Sequence, residues 1–256
     1  MAPRLGHIEG ISRICGYLKK VRKLHPRLLV NPSVPDHSRY PSIDHENWKE
    51  FYPDASEEIP VDHPPPKGAS AYTTFWLDAD LAYDKATCRS VTGIISMVNG
   101  SIYKTFSKRQ ATAYGSELVA SRIATEQVIA LRYLLRSLGV RVVGPTLVLG
   151  DNKSVVLQST TPSSVLKKKH CAINYHRVRE AIAAKVTKYV HIDSRRNLAD
   201  CLTKPLPGNV LYGLVKPVLF ANPGEVLWPG DNLILESDKG QGGHNLETDI
   251  PVKTGP

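Results

Sequence analysis

Asp78, Glu117, Asp151 and Asp200 follow one another in the order D, E, D, D through the middle of this chain, each where an element meets a turn or begins. Each has apolar company: Phe75-Trp76-Leu77 before Asp78, Leu147-Val148-Leu149-Gly150 before Asp151, an amphipathic helix after Glu117, and Leu198-Ala199 before Asp200. Carboxylates gathered in one place repel, so they stay ionised together only when cations or bases neutralise them. The economical cation is Mg²⁺, a hard ion suited to oxygen ligands and to phosphates. Two such ions about 3.5–4 Å apart can hold the attacking water and the leaving oxygen of an in-line phosphoryl displacement. Hydrolysis of a phosphodiester is the chemistry this pattern serves, with the four acids as metal ligands and catalytic groups.

Each acid also has a plainer reading. Asp78 and Asp80 flank Ala79 at the end of an apolar run, on one face of a strand by alternation; the plain reading, stronger for Asp80, is a solvated loop acid. Glu117 lies three residues before Ala120, on the stripe its helix should bury, where a charge needs a partner; the alternative is an acid complementing the dipole of the first helical turn. Asp151 follows Gly150, which permits close backbone approach, and the pair Asp151-Asn152 would also cap a helix. Asp200 opens a helix after a polar loop and is unremarkable alone. Among the bases, Lys108-Arg109 and Lys167-Lys168-Lys169-His170 flank the acids in sequence and could follow a phosphate backbone, or form an ordinary solvated face. His191, ahead of Asp200, could assist proton transfer or serve only structure.

The elements that must position these groups are legible in part. Thr73–Leu77 reads as a strand, and 90–98 and 101–106 as a hairpin closed at Asn99-Gly100 by a type I′ turn. Ala120, Ala124, Val128, Leu131, Leu135 and Leu138 keep helical spacing up to Gly139. Pro145–Leu149 reads as a strand, 153–158 as a helix, 165–184 as a helix burying Tyr175, Val178 and Ile182, 186–192 as a strand, and 198–203 as the start of a last helix. The order βββαβαβα implies a mixed sheet flanked by helices, an α/β domain.

Composition sets the boundaries. Residues 11–24 form a basic amphipathic helix candidate, 31–70 an irregular linker ending in Pro64-Pro65-Pro66-Lys67-Gly68, and 71–207 the folded domain; the Pro, Gly and charge of 208–256 read as a tail, disordered from about 237. A net charge of +9 favours polyanion partners. Four widely spaced cysteines with no paired motif support neither a zinc module nor a disulfide framework and read as reduced intracellular thiols. Without an apolar signal core or a run of roughly 20 apolar residues, the chain is expected to be soluble and not secreted.

Seven blocks in order carry a resemblance: 78–84 (DADLAYD), 89–93 (RSVTG), 107–110 (SKRQ), 114–120 (YGSELVA), 150–154 (GDNKS), 168–170 (KKH) with 175–180 (YHRVRE), and 198–206 (LADCLTKPL). Together they resemble the ribonuclease H domain of Ty1/copia-type retrotransposon polyproteins, over roughly 71–207. The resemblance implies a ribonuclease H-like fold with a five-stranded mixed sheet, and cleavage of the RNA strand of an RNA:DNA hybrid with two Mg²⁺, or Mn²⁺. It implies metal ligation by Asp78, Glu117, Asp151 and Asp200, with Asp78 shared between ions, Glu117 and Asp151 on one, Asp200 on the other, and Asp80 a neighbour. The matched blocks also carry the substrate-contact candidates Lys108, Arg109, Gln110, Asn152, Lys168, Lys169 and His170. Leu81 and Tyr83 depart from the family's usual Trp and Gly.

Residues 13–20 (RICGYLKK) are similar to the segment that follows the polymerase in these polyproteins, which makes 1–30 an expected remnant of the reverse transcriptase and that polymerase a candidate partner. No Tyr-x-Asp-Asp motif occurs, so DNA synthesis by this chain is not expected. The same resemblance places the activity in a cytoplasmic virus-like particle or the nucleus. Two other readings compete: a nucleic-acid-binding relic without activity, and an integrase-like nuclease. Integrases place the Glu last, whereas here it comes second and an Asp closes the set.

Overall fold

The structure, a computed structural model, describes residues 25–26, 47–84, 89–110, 115–166 and 169–220. The chain divides into two compact units, Leu28–Val215 and Met1–Arg27 with Lys216–Pro256. In the second, the described residues form a short antiparallel pairing of His25–Pro26 with Leu219–Phe220. The helix candidate at 11–24, the polymerase-like block at 13–20, the first part of the expected linker and the expected disordered tail lie outside the described residues.

The larger unit is built on five strands: β1 (Thr73–Asp84), β2 (Arg89–Val98), β3 (Ser101–Arg109), β4 (Thr146–Gly150) and β5 (Thr187–His191). They lie in the order β3-β2-β1-β4-β5, with the first three antiparallel and β4 and β5 parallel to β1. The helices are α1 (Trp48–Phe51), α2 (Ser116–Ser137), α3 (Lys153–Thr160), α4 (Ala172–Ala183) and α5 (Gly208–Val215). This is the mixed five-stranded topology of a ribonuclease H-like fold.

The hairpin forms as its turn chemistry dictates, since Asn99 and Gly100 both adopt positive φ, 52° and 77°. The core is the apolar stripe of α2, Ala120, Ala124, Val128 and Leu131, laid against Phe75, Leu77, Ile94 and Val148, with Val178 and Ala181 of α4 completing it. Alanine at 120 and 124, each fully buried, lets α2 approach the sheet closely. Leu138, read as the last residue of that stripe, is instead 68% exposed at the helix C-cap.

Three boundaries differ from the sequence reading. β1 runs on past its apolar stretch to Asp84, because β2 continues to supply a ladder through Asp78↔Gly93 and Asp80↔Val91. α4 begins at Ala172 and not near Val165, which is exposed. The buried Arg179 guanidinium takes the carbonyls of Gln158, at the end of α3, and of Thr161 and Pro162, so the chain leaving α3 is held as a loop ahead of α4. The expected helix at 198–203 is a 3₁₀ turn, Leu198–Leu202, and a true helix, α5, follows where the tail was expected to begin.

The described part of the expected linker is irregular apart from the single turn of α1 and mostly exposed, yet it is anchored to the sheet domain at a few residues. Glu57 receives paired hydrogen bonds from Arg132 (2.6 and 3.0 Å) and Arg136 (2.6 and 2.9 Å) on α2. Burial opposes the Glu57 charge, but the two guanidiniums outweigh it and hold the carboxyl below its usual range. Earlier in the same segment, Trp48 and Tyr52 flank Arg179, whose guanidinium is 5.0 and 5.7 Å from their ring centroids and 4.7 Å from that of Tyr175. The folded unit therefore takes in this strap, and no helix of the described residues is long and apolar enough to cross a membrane.

Candidate metal centre

β4 stops at Gly150, opposite Leu77, while β1 continues. Beyond that point one edge of β1 has lost its parallel neighbour, and the space opened there receives the acids. Asp78 sits in the central strand and is 3% exposed. Asp151 leaves the end of β4 directly beside it. Glu117 comes from the first turn of α2, which starts at Gly115 in the left-handed region (φ 69°). One carboxylate oxygen each from Asp78, Glu117 and Asp151 lie within 4.8 Å of one another.

Asp200 enters from the 3₁₀ turn and is 6% exposed. It stands beside this triad rather than within its tight ring of ligand atoms, and its carboxylate is 2.8 Å from Lys204 Nζ, which is itself 3.8 Å from Asp78. The turn is brought in by Asn197, fully buried, which donates to the Leu77 carbonyl left open where β4 ends (2.9 Å) and accepts from Ala199 N (3.1 Å). Thr203 completes the arrangement by donating its hydroxyl hydrogen to Asp78.

Gly93 makes this docking possible. It pairs with Asp78 in the β1–β2 ladder, and a Cβ there would come 2.7 Å from Thr203 Cγ2 and 2.9 Å from the Ala199 carbonyl oxygen. Gly93→Val is expected to destabilise the unit by about 1–3 kcal/mol through overpacking and to displace the turn that carries Asp200. Urea denaturation together with divalent-cation titration reads both effects; an unchanged cation affinity would show that the turn does not need this contact.

Glu117 is held by a relay. The Ser121 hydroxyl donates to the Glu117 backbone carbonyl (2.7 Å), so the Tyr189 hydroxyl, 2.8 Å away, donates to Ser121. Burial raises the Tyr189 pKa and keeps that phenol protonated. Its ring packs against Gly150, where a Cβ would come within 3.0 Å of the hydroxyl.

Electrostatically the centre is an acid cluster short of positive charge. Burial, then the charges of Asp78 and Asp151, push Glu117 up to about 8; burial, despite the Lys204 hydrogen bond, raises Asp200 to about 6. Asp151 and Asp80 are raised as well, again chiefly by burial and then by Asp78. Glu117 Oε2, Asp200 Oδ1 and Asp80 Oδ2 are buried with no hydrogen-bond donor. An all-oxygen donor set with orphaned acceptors fits a hard divalent cation.

These shifts set a pH dependence. Without metal, folded Glu117 keeps its proton up to about pH 8, whereas its unfolded reference is 4.5. The folded state binds more protons across that window, so the contribution to stability is full below the lower value and lost as pH rises to the upper one. The melting temperature in chelator is expected to fall by several degrees between roughly pH 5.5 and 8. Mg²⁺ at the upper end should restore it and release protons, measurable by calorimetry in two buffers; a flat profile in chelator would refute the coupling.

The other sequence candidates are dispersed. His191 ends β5 beside Gly150, exposed, its Nε2 3.1 Å from the Asp151 carbonyl oxygen. Asn152 caps α3 by accepting from Val155 N (3.2 Å). Gln110, read as a substrate contact, is 7% exposed and gives its amide hydrogens to Thr92 Oγ1 (2.7 Å) and the Ser116 carbonyl (2.8 Å), bracing β2 to the start of α2. Lys108 and Arg109 are exposed on the edge strand β3, two strands from Asp78 and so about 10 Å away by strand spacing. Lys169 and His170 are exposed on the 3₁₀ turn before α4, and Lys168 lies outside the described residues. Sequence reasoning missed Asn197, Thr203 and Lys204 as parts of the centre. The signal for Lys204 was its place four residues after Asp200, the spacing at which a lysine pairs with an acid on a helix.

No family model matches the chain. It is 31% identical over 146 residues to the retrovirus-related Pol polyprotein from transposon RE1 of Arabidopsis thaliana, covering 55% of this chain and 10% of that protein. It is 28% identical over 138 residues to the corresponding polyprotein from transposon TNT 1-94 of Nicotiana tabacum, covering 52% and 10%. Similar solved structures include LC11-RNase H1 isolated from compost, solved in complex with an RNA/DNA hybrid (TM-score 0.42, 18% identity, 51% of this chain and 93% of that one). Another is RNase H1 from Halobacterium salinarum (TM-score 0.38, 16% identity, 53% and 95%). The chain spans about a tenth of the length of the curated relatives it matches. Over about half its length the chain is similar to the retrovirus-related Pol polyproteins of plant transposons, and its larger unit has a ribonuclease H-like fold.

Proposed function

We propose that this chain is the ribonuclease H portion of a retrotransposon polyprotein and hydrolyses the RNA strand of RNA:DNA hybrids with two Mg²⁺ ions, Mn²⁺ serving in their place. The observation that carries the reading is the convergence of Asp78, Glu117 and Asp151, with Asp200 alongside, at the point where β4 ends in this topology. Bound there, the ions would supply charge neutralisation at the phosphate and an activated water. Asp78, the triad member that shares Lys204 with Asp200, would serve both ions, Glu117 and Asp151 one, and Asp200 the other.

The remaining residues bind and orient. Lys108 and Arg109 on β3, with Lys169 before α4, offer cationic contacts to the two backbones of a hybrid, a salt-sensitive and sequence-independent affinity, and His170 beside Lys169 offers a hydrogen bond. His191 is held at the Asp151 carbonyl at the rim, where its ring can pass a proton to or from the departing strand. Thr203 and Asn197 hold Asp78 and the 3₁₀ turn in register. In the whole polyprotein its partner would be a polymerase domain, and its site of action would lie inside the cell, in a virus-like particle or the nucleus.

The test is Mg²⁺-dependent cleavage of a labelled RNA:DNA hybrid by the purified chain, with a DNA duplex and Asp151→Asn as controls. Cutting confined to the RNA strand of the hybrid and absent from the variant supports the reading. Tight hybrid binding by a folded, metal-replete protein that does not cut would overturn it in favour of a binding module.

A further inference from the structure

The four carboxylates are not equally free to take a cation. The oxygens of Asp78, Glu117 and Asp151 close on one another within 4.8 Å, and Glu117 Oε2 has no hydrogen-bond donor. The side of the centre bounded by Asp78 and Asp200 already holds a positive charge. Lys204 Nζ is 2.8 Å from Asp200 and 3.8 Å from Asp78, and its side chain is 35% exposed against 9% for Asp200. A lysine so placed is a tethered counter-ion with a route to water.

We infer that Lys204 occupies the Asp78–Asp200 half of the centre before metal arrives, so that divalent cations load in order. The first enters the Asp78–Glu117–Asp151 ring, where no basic side chain among the described residues is paired with Glu117. The second must displace the Lys204 ammonium from Asp200, and it binds more weakly by the work of breaking that pair. The inference rests on the metal-centre reading above and assigns Lys204 a positioning role, setting the affinity of one half-site. The tether favours this outcome: Lys204 lies four residues after Asp200 on a turn fixed by Asn197, so its stem can swing outward without moving the turn.

The experiment is Mn²⁺ binding to the full chain in the absence of nucleic acid, with free ion counted by electron paramagnetic resonance and Mg²⁺ used as competitor. Wild type is expected to show a tighter and a weaker class of site. In Lys204→Met the weaker class should tighten about tenfold, as expected for removal of a charge in direct contact, while the tighter class moves much less. Lys204→Arg should keep the two classes apart, and Lys204→Gln should repeat the methionine result if packing is not the cause. An unchanged weaker class, or equal tightening of both classes, would overturn the inference while leaving the metal centre standing. No specific binding by wild type, in a sample whose circular dichroism shows it folded, would overturn the metal-centre reading and this inference together.

Discussion

Asp78→Asn is expected to abolish Mg²⁺-dependent cleavage of an RNA:DNA hybrid, by on the order of a thousandfold or more, while leaving hybrid binding in chelator within about twofold. Asp78 belongs to the triad and shares Lys204 with Asp200, so losing its charge should weaken both proposed ion positions at once. The change is isosteric, and the amide oxygen can still accept from Thr203. Removing one charge from a repelling cluster should also relieve Glu117, whose pKa is raised partly by Asp78. The variant should therefore melt at a higher temperature than wild type in chelator at neutral pH. Lost activity with raised stability is a signature that a merely misfolded variant cannot give. Normal cleavage by Asp78→Asn would remove it from the metal set.

The second large effect is on stability. Arg179 is 2% exposed and donates to the carbonyls of Gln158 (3.0 Å), Thr161 (2.7 Å) and Pro162 (2.5 Å), to Ser164 Oγ (2.7 Å) and to the Tyr52 hydroxyl (3.2 Å). Arg179→Met keeps some of the volume but leaves the loop between α3 and α4 without its donors, at an expected cost of about 3–5 kcal/mol in urea unfolding. Lysine cannot rescue it, because a single ammonium cannot reproduce a planar fork shared among three carbonyls and flanked by aromatic rings. Trp48→Ala, combined with Arg179→Met in a double-mutant cycle, should show a coupling of about 1 kcal/mol. A coupling near zero would mean that the Trp48 ring adds nothing to the hold of Arg179 on the strap.

The fold was open to sequence reading wherever one periodicity dominated. The Asn99-Gly100 hairpin, the α2 stripe from Ala120 to Leu131 and the capped start of α3 are local facts, set by turn chemistry, helical spacing and an asparagine oxygen aimed at Val155 N. Reading failed where a partner distant in sequence decided the outcome. β1 outran its apolar stretch because β2 lay beside it. The loop before α4 remained irregular because Arg179 satisfied its carbonyls. The segment before Ala71 looked like a linker because its composition is polar and proline-rich, and nothing local shows that Glu57 will meet Arg132 and Arg136.

The candidate site divides along the same line. Sequence alone determined which acids to consider and in what order, since Asp78, Glu117 and Asp151 each sit against an apolar run that commits the adjoining backbone to the core. It also determined that a basic chain would carry them. Tertiary structure alone decided that β4 ends one strand away from Asp78, that the Gln110 amide braces the start of α2, and that Lys204 pairs with Asp200. The physical reason is range: hydrophobic periodicity and capping act within a few residues, whereas convergence of charges depends on which strands lie side by side, and that is settled only when the whole sheet packs.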